Sequence, residues 1–89
     1  MAFVAHIDVS LKAGILDPQG GEIERALPAL GYSNVSDVRV GKTIRLVVDA
    51  PDAAGAEAQV VEMCDRLLAN PVIESYSVDL EPVATGSSV

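Results

Sequence analysis

The sequence predicts an α+β domain with its elements in the order β-α-β-β-α-β. Three observations carry this. Phe3 to Lys12 alternates apolar and polar residues, with Val4 the one exception. Two later stretches repeat apolar residues at helical spacing, Ile23-Ala26-Leu27-Leu30 and Ala56-Val60-Met63-Cys64-Leu67-Leu68. Around them lie short runs rich in Val, Ile and Leu, bounded by Gly, Pro and Asn.

The first strand spans Phe3 to Lys12. Phe3, Ala5, Ile7, Val9 and Leu11 share one face, and Val4, His6, Asp8, Ser10 and Lys12 share the other. A strand with one polar side rests its other side on a core. Ala13 to Leu16 is a connector in which Gly14 permits a bend. The first helix runs from Pro18 to Leu30. Asp17 is placed to accept hydrogen bonds from the free N–H groups of its first turn, and Pro18 has no N–H to leave unpaired. Pro28 removes a hydrogen bond to Glu24 and should kink this helix. Gly31 is the expected C-terminal cap.

Val35 to Val40 reads as a second strand, with Gly41-Lys42 as a tight turn. Thr43 to Ala50 is the third strand, with Ile44, Leu46 and Val48 facing inward. Pro51 ends it, and Asp52 is positioned to cap a second helix that continues to Ala69. Asn70-Pro71 stops that helix. Val72 to Leu80 is the fourth strand, with Tyr76, Val78 and Leu80 on one face. Right-handed crossovers then give a ferredoxin-like sandwich, a four-stranded antiparallel sheet of order 4-1-3-2 with both helices on one face. Residues 1–82 make one domain, and residues 83–89 read as a flexible C-terminal tail.

Composition narrows the function classes. Nearly half of the 89 residues are apolar, yet Phe3, Tyr32 and Tyr76 are the only aromatics. A platform that stacks nucleic-acid bases needs more. The net charge of −7 also opposes a phosphate backbone. No run of apolar residues is long enough to span a membrane, and no signal peptide is recognisable; with a single cysteine this indicates the cytoplasm.

No constellation in the sequence makes a self-sufficient active site. His6, Asp8 and Ser10 alternate on one strand face, but residues two apart on a strand point in parallel rather than at one another. Cys64 lies in the apolar stripe of the second helix and reads as core. Asp17-Pro18-Gln19-Gly20 lacks phosphate-loop glycine spacing, and Asp17 would repel a phosphate; capping is the preferred reading. Gly20 and Gly21, poor helix residues, would let another surface approach the helix end. Arg39, Lys42 and Arg45 gather three of the six basic residues within seven positions, a candidate docking patch for an acidic partner.

Four stretches carry a family resemblance: Val9-Ser10-Leu11-Lys12, Leu16-Asp17-Pro18-Gln19-Gly20, Asp37-Val38-Arg39-Val40-Gly41-Lys42, and the run from Met63-Cys64-Asp65-Arg66 to Glu74-Ser75-Tyr76. In this order and spacing, and over about residues 3 to 81, the chain resembles the PurS subunits of phosphoribosylformylglycinamidine synthase. The resemblance implies a small non-catalytic subunit of a ligase in purine biosynthesis. That ligase converts formylglycinamide ribonucleotide, glutamine and ATP to formylglycinamidine ribonucleotide. It implies a homodimer or tetramer that joins a large synthetase subunit to a glutaminase subunit and helps ammonia pass between them. It places no cofactor in this chain; ATP and Mg belong to the synthetase subunit. Among the positions matching the motifs, Lys12, Asp17, Gln19, Gly20, Arg39, Gly41, Lys42 and Tyr76 are the expected subunit contacts. Two other readings stay open. A small-molecule sensor of the ACT type shares the element order and would use Gly14, and an independent enzyme would need His6.

Overall fold

The computed structural model describes residues 1–83. Strand β1 (Ala2–Leu11) is followed by helix α1 (Pro18–Ala26) and, directly after it in the chain, a 3₁₀ turn, Leu27–Leu30. Strand β2 (Gly41–Asp49) leads to helix α2 (Ala53–Met63), extended by a π-helical segment, Cys64–Leu68, and strand β3 (Glu74–Pro82) closes the described chain. The sheet is antiparallel and three-stranded, in the order β2-β1-β3. Its neighbour relations are those of strands 3, 1 and 4 in the expected order.

The expected second strand is absent. Residues 35–40 form no strand, and β2 begins at Gly41, where a turn was anticipated. Asp37 adopts a left-handed φ of 56°, which breaks an extended run. The N–H groups of Val38 and Val40 donate to the side chains of Glu24 and Asp17 instead of to a neighbouring strand. The alternation of Val38 and Val40 is real, but its partner is a helix.

Other boundaries shift for local reasons. Pro28 cannot donate to Glu24, and the α-helix gives way there to the 3₁₀ turn. Gly31, at φ 98°, caps it by donating to the carbonyls of Leu27 and Pro28. The last strand starts at Glu74 because Pro71–Ile73 form a turn, with Glu74 and Ile73 N–H groups donating to the Asn70 carbonyl. Asp52 caps α2, accepting from the Gly55 N–H at 2.7 Å. Val83, assigned to the tail, donates to the Ala2 carbonyl at 2.9 Å; the rest of the expected tail lies outside the described residues.

The core is the inner sheet face packed against α2. Phe3, Ala5, Ile7 and Val9 of β1 are buried under Ala56, Val60 and Cys64. The expectation of both helices on one face is corrected here, because α1 stands clear of the sheet. Gly20 is its one buried residue. The outer face is open and polar, with His6 paired to Glu81 at 3.3 Å between β1 and β3. With one helix over three strands, the core has little redundancy. Ile7→Ala should cost about 2–5 kcal/mol and Ile7→Val about 0.5–1.5 kcal/mol. Urea denaturation checks both, and equal costs would mean that Ile7 does not fill the centre of the core.

Candidate functional site

Asp17 sits where β1, α1 and the 35–40 segment meet. Its Oδ1 accepts from the Gly20 N–H at 2.8 Å, capping α1 as expected. Its Oδ2 accepts from the Val40 N–H at 2.8 Å. Seven residues on, two helical turns along the same side of α1, Glu24 Oε1 accepts from the Val38 N–H at 2.9 Å. The helix thus receives alternate N–H groups of an extended segment, much as a strand would. Arg39 completes the corner. Its Nη1 and Nη2 donate to the carbonyls of Ile15 and Lys12, at 3.4 and 3.3 Å.

The hydrogen bonds from Gly20 and then Val40 hold the Asp17 carboxyl below the ordinary aspartate range, against the opposing effect of burial. Gly20 is required here for space. A Cβ on it would collide with the Val38 carbonyl oxygen. At Gly41 a Cβ would stand 2.7 Å from the Val9 carbonyl oxygen. Both glycines therefore serve close approaches within the chain. Gly21 is different, since a Cβ there would meet only the mobile end of Arg25 at 3.3 Å.

The remaining expected contacts separate into two groups. Lys12 Nζ donates to the Pro71 carbonyl at 2.8 Å. The Tyr76 hydroxyl donates to Asp65 at 2.8 Å, tying β3 to the π segment and raising the phenol pKa. These two side chains, with Asp17 and Arg39, have partners in their own chain. Gln19 and Lys42 are exposed and make no side-chain hydrogen bond among the described residues. They line an open recess of about 320 Å³ beside Ser10, Leu11, Pro18 and Glu74.

Arg39, Lys42 and Arg45 do not form one patch. Lys42 follows the inward register of Ile44, while Arg45 lies on the outer face opposite His6. Cys64 is fully buried, and its thiol pKa is pushed up first by burial and then by Asp65. Among the described residues, no group of three His, Cys, Asp or Glu side chains could hold a metal ion. No helix among the described residues is long and apolar enough to cross a membrane. Sequence reasoning missed Glu24 and Asp65. The seven-residue spacing of Asp17 and Glu24 is a usable signal for the first, whereas the register of Asp65 depends on the π segment.

The family model described as PurS, phosphoribosylformylglycinamidine (FGAM) synthase, matches residues 4–82. The chain is 46% identical over 79 residues to phosphoribosylformylglycinamidine synthase subunit PurS of Synechocystis, covering 89% of this chain and 79% of that one. It is 45% identical over 81 residues to the subunit of the same description from Bacillus subtilis, covering 91% and 95%. Among solved structures it resembles a chain of the structure of PurLQS from Thermotoga maritima, with a TM-score of 0.83 and 37% identity over 91% of this chain and 99% of that one.

Two outcomes test the corner. Gly20→Ala should destabilise the protein by about 1–3 kcal/mol through overpacking, while Gly21→Ala should be neutral or stabilising by up to about 1 kcal/mol. Ionised Asp17 is favoured in the folded state. Its contribution is complete above the ordinary aspartate range and is lost as the pH falls through the lowered value. Asp17→Ala should therefore lower the thermal midpoint at neutral pH and leave a shallower decline in acid. Parallel midpoint–pH curves for the two proteins would contradict the clamp.

Proposed function

The chain belongs to the PurS family of phosphoribosylformylglycinamidine synthase subunits, and from that premise we propose that it joins the larger subunits of this enzyme. The synthase is a glutamine-dependent, ATP-using ligase of purine biosynthesis, in which the PurS chain is a subunit and not itself catalytic. The observation that carries the role is the match to a chain of the PurLQS structure over 91% of this chain and 99% of that one.

In this reading, a large synthetase subunit and a glutaminase subunit are the partners. ATP and Mg are used on the synthetase subunit, and ammonia released from glutamine travels between the two under cover of the assembly. Enclosure matters because ammonia in open water is protonated and diluted before it can react. The complex works in the cytoplasm. A joining subunit contributes surfaces rather than reacting groups, which accords with a corner whose Asp17, Lys12, Arg39 and Tyr76 side chains bond their own chain. The same chain acts as a homodimer, able to pair further into a tetramer. Its support is the exposed apolar surface, including Ile23, Leu30, Val47 and Leu67. This reading displaces the amino-acid sensor and the His6 enzyme.

Of the eight expected contact residues, Gln19 and Lys42 are the side chains left to meet a larger subunit. Of the other six, Asp17 and Gly41 line the same recess, while Lys12, Gly20, Arg39 and Tyr76 act through the contacts they make within the chain. Mixed with the synthetase and glutaminase subunits, ADP, magnesium and glutamine, the chain should co-elute as one complex on gel filtration. Gln19→Ala with Lys42→Ala should weaken that complex by about tenfold without lowering the thermal midpoint. Unchanged assembly and unchanged glutamine-dependent synthesis would remove these two residues from the interface. Failure of the unmodified chain to co-elute would remove the joining role.

A further inference from the structure

Every left-handed backbone position among the described residues flanks α1. Gly14, at φ 85°, lies before it; Gly31, at 98°, and Asp37, at 56°, lie after its 3₁₀ turn. None lies within β1, β2, α2 or β3. Helix α1 and its 3₁₀ turn are therefore an arm with a sharp bend at each root.

Within the chain this arm is fastened by polar groups. No side chain from residues 12–40 contributes to the apolar core, and Leu16, Ile23, Leu30, Tyr32 and Val35 are exposed. The hold consists of the Val40 and Val38 N–H groups on Asp17 and Glu24, and of Arg39 on the carbonyls of Ile15 and Lys12. Water can replace each of these partners when the arm lifts, so opening uncovers no core. Segments without buried apolar contacts open at lower free energy than the core they adjoin. A helix of 9 residues is marginal alone in water, so α1 unwinds as it leaves the corner and its amides report the event.

We propose that residues 13–37 are a latched arm that opens as one unit while the sheet and α2 stay folded. Asp17 and Glu24 are the latch, and opening begins where they release Val40 and Val38. The motion belongs to local unfolding, on the microsecond-to-second scale. Its consequence is a chain whose outline changes at the Gly41 end of the sheet while the core between β1 and α2 keeps its shape. The Val38 and Val40 donors sit directly before β2, so release presents unpaired backbone at the entry to that strand.

Native-state hydrogen exchange of the full chain tests this, read by NMR under conditions where exchange reports equilibrium opening. The α1 amides should exchange together, at least about tenfold faster than those of Ala5, Ile7 and Val9 in β1. Their dependence on urea should be shallower, because little surface is uncovered. Ile7→Val weakens the latched and the open-armed states alike, so it should speed β1 exchange about two- to tenfold and leave α1 exchange unchanged. Glu24→Ala should speed α1 exchange about tenfold. Glu24→Gln, which keeps an oxygen for the Val38 N–H, should stay near the wild-type rate. Exchange of α1 at the β1 rate, or an equal acceleration of both by Ile7→Val, would make the arm part of one global unit and overturn the proposal. So would α1 exchange that is indifferent to Glu24→Ala.

Discussion

The Asp17 carboxylate is the constraint on which the described architecture depends. One oxygen begins α1 and the other stops Val38–Val40 from joining the sheet. A carboxylate that accepts two backbone N–H groups at 2.8 Å fixes the relative placement of two segments far apart in sequence. Gly20 follows from this, because only a residue without a Cβ lets the helix approach the Val38 carbonyl. Arg39 follows too, since its two donors neutralise carbonyls of the connector that this placement brings beneath it. The arm's outward direction is therefore set at its root.

The sheet itself is held differently. Its energetics rest on β1, which is paired on both edges and fully covered on one face by α2. The π segment lets the same continuous helix bury Cys64, turn Asp65 toward Tyr76 and still deliver Ala69 to the core. The Lys12 ammonium and the Asn70 side chain then fasten the turn before β3. The two halves of the molecule are thus built by different physics: apolar burial around β1, and charge-assisted hydrogen bonds around Asp17.

How much of this was legible in the sequence follows the same division. The inner face of β1, the apolar stripe of α2, both aspartate caps and the Gly31 stop were readable, because period and cap chemistry are local. The burial of Cys64 was readable from its place in the stripe. Residues 35–40 were misread because two valines in alternation look the same whether their backbone pairs with a strand or with carboxylates on a helix. The position of α1 was misread because its amphipathic stripe reports that it has a partner, not which surface provides one. The role of Gly20 was half visible. Its cost to a helix is a local fact, whereas the carbonyl it makes room for comes from Val38, eighteen positions away.

The withdrawal of residues 35–40 has one more consequence, at the outer edge of β2. Among the described residues that strand pairs only with β1, so the far-side N–H and C=O groups of Thr43 to Val48 have no described strand beside them. Neither proline nor an inward-pointing charge interrupts the edge between Thr43 and Val48. Colloidal behaviour then rests on long-range repulsion between copies carrying a net charge of −7 each. Because salt screens such repulsion within about 8 Å at physiological ionic strength, ionic strength governs how closely two bare edges approach before any specific contact forms.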